Sequence, residues 1–169
     1  MTQNDFIKTV APFQDKVFRL AKRLLISTEE AEDATQEVLV KLWNKNEVLN
    51  QYNSVEALAM TMTKNFCLDQ LKSKRAGNRS ITHSNYSNRE ASLDKVLEDK
   101  DSLSWVEKSI NQLPTQQRMI VQLREIEELE FAEIAKIMDT KEIAVRVALS
   151  RARKAIKDFM LKTHGYGNR

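Results

Sequence analysis

Between Asp139 and Lys157 the chain reads DTKEIAVRVALSRARKAIK, and its cations Lys141, Arg146, Arg151, Arg153, Lys154 and Lys157 face Glu142 alone until Asp158. Guanidinium and ammonium groups at that density suit phosphate neutralisation and, for Arg, forked donation to base edges. A merely solvated helix would mix signs to gain i,i+4 pairs, so the one-sided charge favours a polyanionic partner. Lys72, Lys74, Arg75 and Arg79 form a weaker second patch. Two basic patches far apart in sequence suggest one DNA held at two places.

Catalytic chemistry finds no comparable support. The chain shows no Gly-rich phosphate loop and no Ser/His/Asp or Cys/His set. Cys67 is the only cysteine, which excludes an intrachain disulfide and a cysteine-rich zinc site, and His83 and His164 lack metal-ligand spacing. No cofactor and no metal is expected. Cys67, Trp43 and Trp105 read as core residues. Glu29, Glu30, Glu32 and Asp33 open a helix, where the dipole favours negative charge whatever else they do.

The elements that carry these groups are helices. Apolar residues make up 41% of the chain, enough for real cores, while three Gly and two Pro argue against a turn-rich strand protein. Val145, Leu149, Ala152, Ile156 and Phe159 recur at helical spacing, which gives the basic segment a buried face. A short helix, Phe131 to Met138, precedes it across a turn at Asp139-Thr140, the pattern of a helix-turn-helix. Leu103, Val106, Ile110 and Leu113 form the stripe before, stopped by Pro114, and Met119, Ile120 and Leu123 the next.

Nearer the N-terminus, Phe6, Val10, Phe13, Val17, Leu20 and Leu24 predict a short helix and then a longer one starting near Pro12. Ser27 and Glu30 have capping-box spacing and open a helix through Trp43, with Ala31, Ala34, Val38 and Leu42 inward. Polar residues Asn44 to Asn53 read as a loop. Ser54 then caps a helix to about Arg75, with Leu58, Met62, Phe66 and Leu71 inward. From Ala76 to about Ser92 small and polar residues dominate and no period survives, so a linker lies there. The expected architecture is all-α: two small helical domains, 1–76 and 101–169, joined by a flexible linker, 77–100, the second domain a helix-turn-helix.

The net charge is only +3, so attraction to nucleic acid must come from local patches. No basic-then-apolar leader and no apolar run near the roughly 20 residues of a membrane span is visible, so a cytoplasmic protein without membrane insertion is expected.

Three stretches in order, AEDATQEVLVKLW (Ala31 to Trp43), NFCLDQLKSKR (Asn65 to Arg75) and LPTQQRMIVQLREIEELEFAEIAKIMDTKEIAVRVALSRARKAI, resemble the bacterial extracytoplasmic-function sigma factors of RNA polymerase. The resemblance implies a domain two that binds core polymerase and melts promoter DNA, and a domain four that reads the upstream promoter element. It implies that Glu32, Asp33, Gln36, Glu37 and Lys41 face the polymerase. Tyr52 and Asn53 would stack on and hydrogen-bond a flipped base of the downstream element, and Lys64, Asn65, Lys72, Lys74 and Arg75 would follow the separated strand's phosphates. Lys141, Glu142, Arg146 and Val147 would meet major-groove edges, with Arg151, Arg153 and Lys154 at phosphates or the groove's flank. Core RNA polymerase, promoter DNA and an anti-sigma factor are the implied partners. The chain departs from the family's pattern at Leu58-Ala59, Thr61 and Ala148, and Asp139 stands where a turn Gly is frequent; Asp tolerates left-handed backbone. A stand-alone helix-turn-helix regulator, binding duplex DNA without polymerase, is the competing reading, and an inactive protein-binding scaffold a second.

Overall fold

Thr2 opens the first helix with a reciprocal cap: its hydroxyl accepts the Asp5 amide at 3.2 Å, and the Asp5 carboxylate accepts from the Thr2 amide at 3.4 Å. The computed structural model that shows this describes residues 1–77 and 102–164, with backbone alone at 102, 103 and 164. Apart from Gly77, the expected linker lies outside the described residues, as do Arg79, His83 and the side chains of Leu103 and His164. Eight α-helices and no strand occur among the described residues.

Helix α1 (Gln3–Val10) ends before Pro12, and α2 (Gln14–Leu25) follows. Helix α2 closes on Ile26 in left-handed backbone, φ 68°, where the Lys22 ammonium donates to the Ile26 carbonyl and the Thr28 hydroxyl, both at 2.7 Å. Ser27 caps α3 (Thr28–Asn44) by accepting the Glu30 amide. A 3₁₀ turn, Leu49–Gln51, leads to α4 (Val55–Gly77). Helices α2, α3 and α4 pack on one another around Val17, Leu20, Leu24, Ala31, Ala34, Val38, Leu42 and Met60, all essentially dry. Each large aliphatic side chain removed from water there contributes roughly 1.5–3 kcal/mol before chain entropy is counted.

Three expectations need correction. The fully buried face of α4 is Ala59, Met60, Thr63, Lys64 and Cys67, while Leu58, Met62, Phe66 and Leu71 are only half-buried along its flanks. Small residues at 59, 63 and 67 let α4 lie close to its neighbours, and the Thr63 hydroxyl is satisfied by the Ala59 carbonyl at 2.7 Å. Trp43 is 38% exposed rather than core: at the end of α3 it packs edge-to-face with Phe6, centroids 5.1 Å apart. The polar loop 44–53 hides one anchor, Leu49, which is completely buried. Cys67 is core as expected, and burial pushes its thiol up to about 12.

The second block runs α5 (Ser102–Asn111), α6 (Thr115–Val121), a π-helical turn Gln122–Ile126, α7 (Phe131–Ile137) and α8 (Glu142–His164). The π turn is closed by the Glu127 amide on the Gln122 carbonyl at 3.0 Å, and Glu128, φ 58°, redirects the chain toward α7. Helix α7 stops in a Schellman-type end: Asp139 is left-handed at φ 51° and the Thr140 amide reaches the Ala135 carbonyl at 2.9 Å. Helix α8 packs against α5, α6 and α7, burying Val145, Leu149 and Ala152.

The two blocks meet where α2 packs on α6 and α4 on α7. Arg23, nearly buried, sends all its side-chain bonds across this joint: Nε to Gln122 at 2.9 Å, and the two terminal nitrogens to Glu107 at 3.0 and 3.1 Å and Asn111 at 3.1 Å. One turn earlier Arg19 grips Glu127 with two bonds, 2.6 and 2.8 Å, and Gln122 donates to the same carboxylate at 3.2 Å. The hydrogen bond to Glu127 holds the Arg19 guanidinium above its ordinary range.

Replacing Arg23 by Ala leaves the buried Gln122 side-chain oxygen without its donor, a loss of about 1–3 kcal/mol for an unsatisfied group. The domains then separate: small-angle scattering gives a larger radius of gyration while far-UV helicity is unchanged. Asp139→Val forces a β-branched residue into left-handed backbone and lowers stability by about 1–2 kcal/mol in urea titration, whereas Asp139→Gly does not.

Candidate nucleic-acid and polymerase interfaces

Helix α8 presents its unburied side as a continuous outer face. Lys141, Glu142, Arg146, Val147, Arg151, Arg153 and Lys154 are all exposed. They differ in how they are held. The Arg146 guanidinium lies 4.2 Å from the centroid of the Phe131 ring, and that of Arg124 at the same distance, so one aromatic side chain at the start of α7 carries two cations. Arg124 also donates to the Leu129 carbonyl at 2.8 Å. Arg153 pairs with Glu125 at 2.6 Å, an exposed contact. Among the described residues no ion pair or ring contact holds Arg151 or Lys154.

In the first domain Glu32, Asp33, Gln36, Glu37 and Lys41 are exposed along α3. Their spacing puts them on adjoining strips of one helix surface, with exposed Val40 among them. Glu32, Asp33 and Glu37 have no ion pair among the described residues, while Lys41 lies over the Phe66 ring at 5.2 Å. Beside this row, α2 and α3 enclose a shallow cleft of about 260 Å³ lined by Gln14, Asp15, Phe18, Glu32, Thr35, Gln36 and Leu39. The contribution of α2 was not foreseen. Phe18 was the available signal: it follows Val17 immediately, so it sits off the core stripe and still faces protein.

Tyr52 and Asn53 stand exposed just before α4. Buried Leu49 pins the preceding turn, and Ser54 accepts the Ala57 amide at 3.1 Å to start the helix. Asn65, Lys72 and Arg75, exposed, follow at steps of seven and three and share one face of α4. The structure does not bring them together with Tyr52: Val55 to Lys72 spans roughly 25 Å of helix. Lys64 requires a correction. It is only 9% exposed, because it belongs to the buried face of α4, and so is not presented to a phosphate. Lys74 pairs with Glu30 across α3 and α4 and is partly engaged.

Arg19, Arg23 and Glu127 were also missed. Arg23 continues the stripe of Leu20 and Leu24, where an apolar residue would be read, and the run from Glu125 to Glu133 holds five carboxylates against Arg124 and Lys136 at its flanks. Together those two facts point to an ionic contact between the blocks.

Two domain families match in the same order along the chain: Sigma-70 region 2 over residues 9–77 and Sigma-70, region 4 over residues 103–156. Among curated proteins the chain is similar to the ECF RNA polymerase sigma factor SigW of Bacillus subtilis, 25% identical over 92% of this chain and 88% of that protein. It is also similar to the ECF RNA polymerase sigma factor SigE of Mycolicibacterium smegmatis, 26% identical over 88% of this chain and 58% of that longer protein. The fold resembles that of the sigma factor RpoE, in a co-crystal structure with the anti-sigma factor NepR from Bartonella quintana. The TM-score is 0.74 at 20% identity, covering 95% of this chain and 98% of that one. CnrH, solved with the cytosolic domain of CnrY, gives 0.68 at 18% identity, covering 96% and 91%. With both sigma-70 regions matched in sequence order and laid out on the two helical blocks described above, the chain belongs to the sigma-70 family of bacterial transcription initiation factors, in its extracytoplasmic-function branch.

Proposed function

We infer that the chain is a dissociable RNA polymerase sigma factor of the extracytoplasmic-function type, directing core polymerase to specific promoters and aiding initiation by DNA melting. The observation that carries the division of labour is electrostatic: an exposed, unpaired carboxylate row on α3 and a cation-rich outer face on α8 belong to different domains of one chain. Glu32, Asp33, Gln36, Glu37 and Lys41, with the cleft beside them, dock on a basic surface of the polymerase. Complementary charge there speeds encounter and fixes orientation. Residues 102–164 act as domain four, and Lys141, Glu142, Arg146 and Val147 enter the major groove of the upstream element while Arg151, Arg153 and Lys154 hold phosphate.

The first domain, residues 1–77, receives the downstream element. Tyr52 stacks on an unpaired base and Asn53 bonds its edge. The separated strand then runs down α4 past Asn65 toward Lys72, Lys74 and Arg75. Lys74 would exchange its half-buried Glu30 pair for phosphate. The chain works in the cytoplasm, where polymerase and DNA are, and no helix among the described residues is long and apolar enough to cross a membrane. An anti-sigma factor is a further partner, a reading supported by the RpoE–NepR complex whose fold this chain shares. The stand-alone regulator reading is not favoured: it gives no role to the acidic row.

Purified core polymerase mixed with the chain is expected to form a complex that gives run-off transcripts from cognate promoters. A chain that binds duplex tightly alone and ignores polymerase would exclude this function. Reversing the row, Asp33→Lys with Glu37→Lys, is expected to abolish co-elution with polymerase and leave the melting temperature unchanged. Arg146→Ala is expected to keep polymerase binding and cut promoter-specific transcription by at least about tenfold, the scale of a lost base-edge contact.

A further inference from the structure

The outer face of α8 is not uniformly polar. Ile143, in its first turn, is 74% exposed, and Val147, one turn later on the same row, is 45% exposed. The row continues through Ser150, Arg151 and Lys154, all exposed. Water gives no reason for this pair. Ile and Val lose side-chain freedom in a helix, and Glu, Lys or Gln would serve a solvated first turn better. Neither residue belongs to the packed face, which Val145, Leu149 and Ala152 already fill.

We propose that Ile143 and Val147 are a specificity-determining pair that reads thymine 5-methyl groups in the major groove of the upstream promoter element. The inference rests on the function assigned above and deepens it. Thymine is the base that offers an apolar group in the major groove, and apolar side chains are its natural contact. The N-terminal turns of a recognition helix are the part that reaches base edges, and these two residues occupy them. Charge identifies the occupant as duplex DNA rather than the apolar groove of a protein. Lys141, Arg146 and Arg151 surround the pair and Arg151 and Lys154 prolong its row, so that anything seated on it lies in a cationic frame. Arg146, parked on Phe131, flanks the apolar pair.

The test uses holoenzyme reconstituted from core polymerase and the full chain. Duplexes randomised in the upstream element are selected for binding, and each thymine of the selected site is then replaced by deoxyuridine, which lacks only the methyl. For the wild-type chain, uracil at one or two neighbouring positions is expected to weaken binding by about fourfold per methyl. The Ile143→Ala, Val147→Ala chain is expected to bind both duplexes equally; circular dichroism checks that its helicity is retained. Equal binding of thymine and uracil duplexes by the wild type, or discrimination that persists in the double variant, overturns the proposal while leaving the sigma function standing. Failure to form holoenzyme, or to select any upstream sequence, overturns the function and this inference together.

Discussion

A guanidinium withdrawn from water has to find an acceptor for nearly every N–H it carries, and Arg23 finds them all on the other domain. That requirement fixes how the two blocks meet. Helix α2 serves two masters: Val17, Leu20 and Leu24 fill the first core, while Arg19 and Arg23, a turn apart, reach Glu127, Gln122, Glu107 and Asn111. The acceptors are equally placed by local structure. Gln122 and Glu127 are the two ends of the π turn, so the same irregular backbone that ends α6 brings both side chains to the joint. Ionic contacts of this kind contribute modestly to net stability because desolvation offsets attraction, but they penalise any other alignment. A joint made this way is selective and still separable, as suits the proposal that the domains engage two sections of one promoter.

The joint also sorts the acidic residues. Glu127 goes to Arg19, Glu125 to Arg153, Glu30 to Lys74 and Glu107 to Arg23. What remains unpaired on α3 is therefore a surface, not a residue of folding. The mild net charge conceals this partition completely. Electrostatic steering depends on where charge stands rather than on its sum, and here one domain offers an acidic row and the other a basic helix.

Helical periodicity made most of the architecture readable. Stripes at 6–24, 31–42 and 145–152 coincide with buried residues because a helix shows its core face every third and fourth position. The caps at Ser27 and Ser54 and the turn at Asp139 were legible for local reasons, since they involve residues only a few positions apart. Helix α4 misled because its inward face is built of Ala59, Thr63 and Cys67, small residues that carry little hydrophobic signal beside Leu58, Met62 and Phe66. Lys64 was misplaced with it, being assigned by motif and not by helical phase. Arg23 stood out only as a charge on an apolar stripe, and its partners could not be named because they lie some 84 to 99 positions away.

Phe131 shows how the recognition helix can be both rigid and highly charged. Two guanidiniums near one another repel, and a carboxylate between them would spend the charge that DNA needs. An aromatic ring attracts each cation through its quadrupole and neutralises neither. Arg146 thus keeps its full charge and loses much of its rotamer freedom before DNA arrives, so less ordering is left for binding to overcome. Arg153 is held by the opposite device, an exposed pair with Glu125 that contributes little by itself. Ring for the residue proposed to read bases and carboxylate for the one proposed to hold backbone is the arrangement expected if positioning matters most where sequence is recognised.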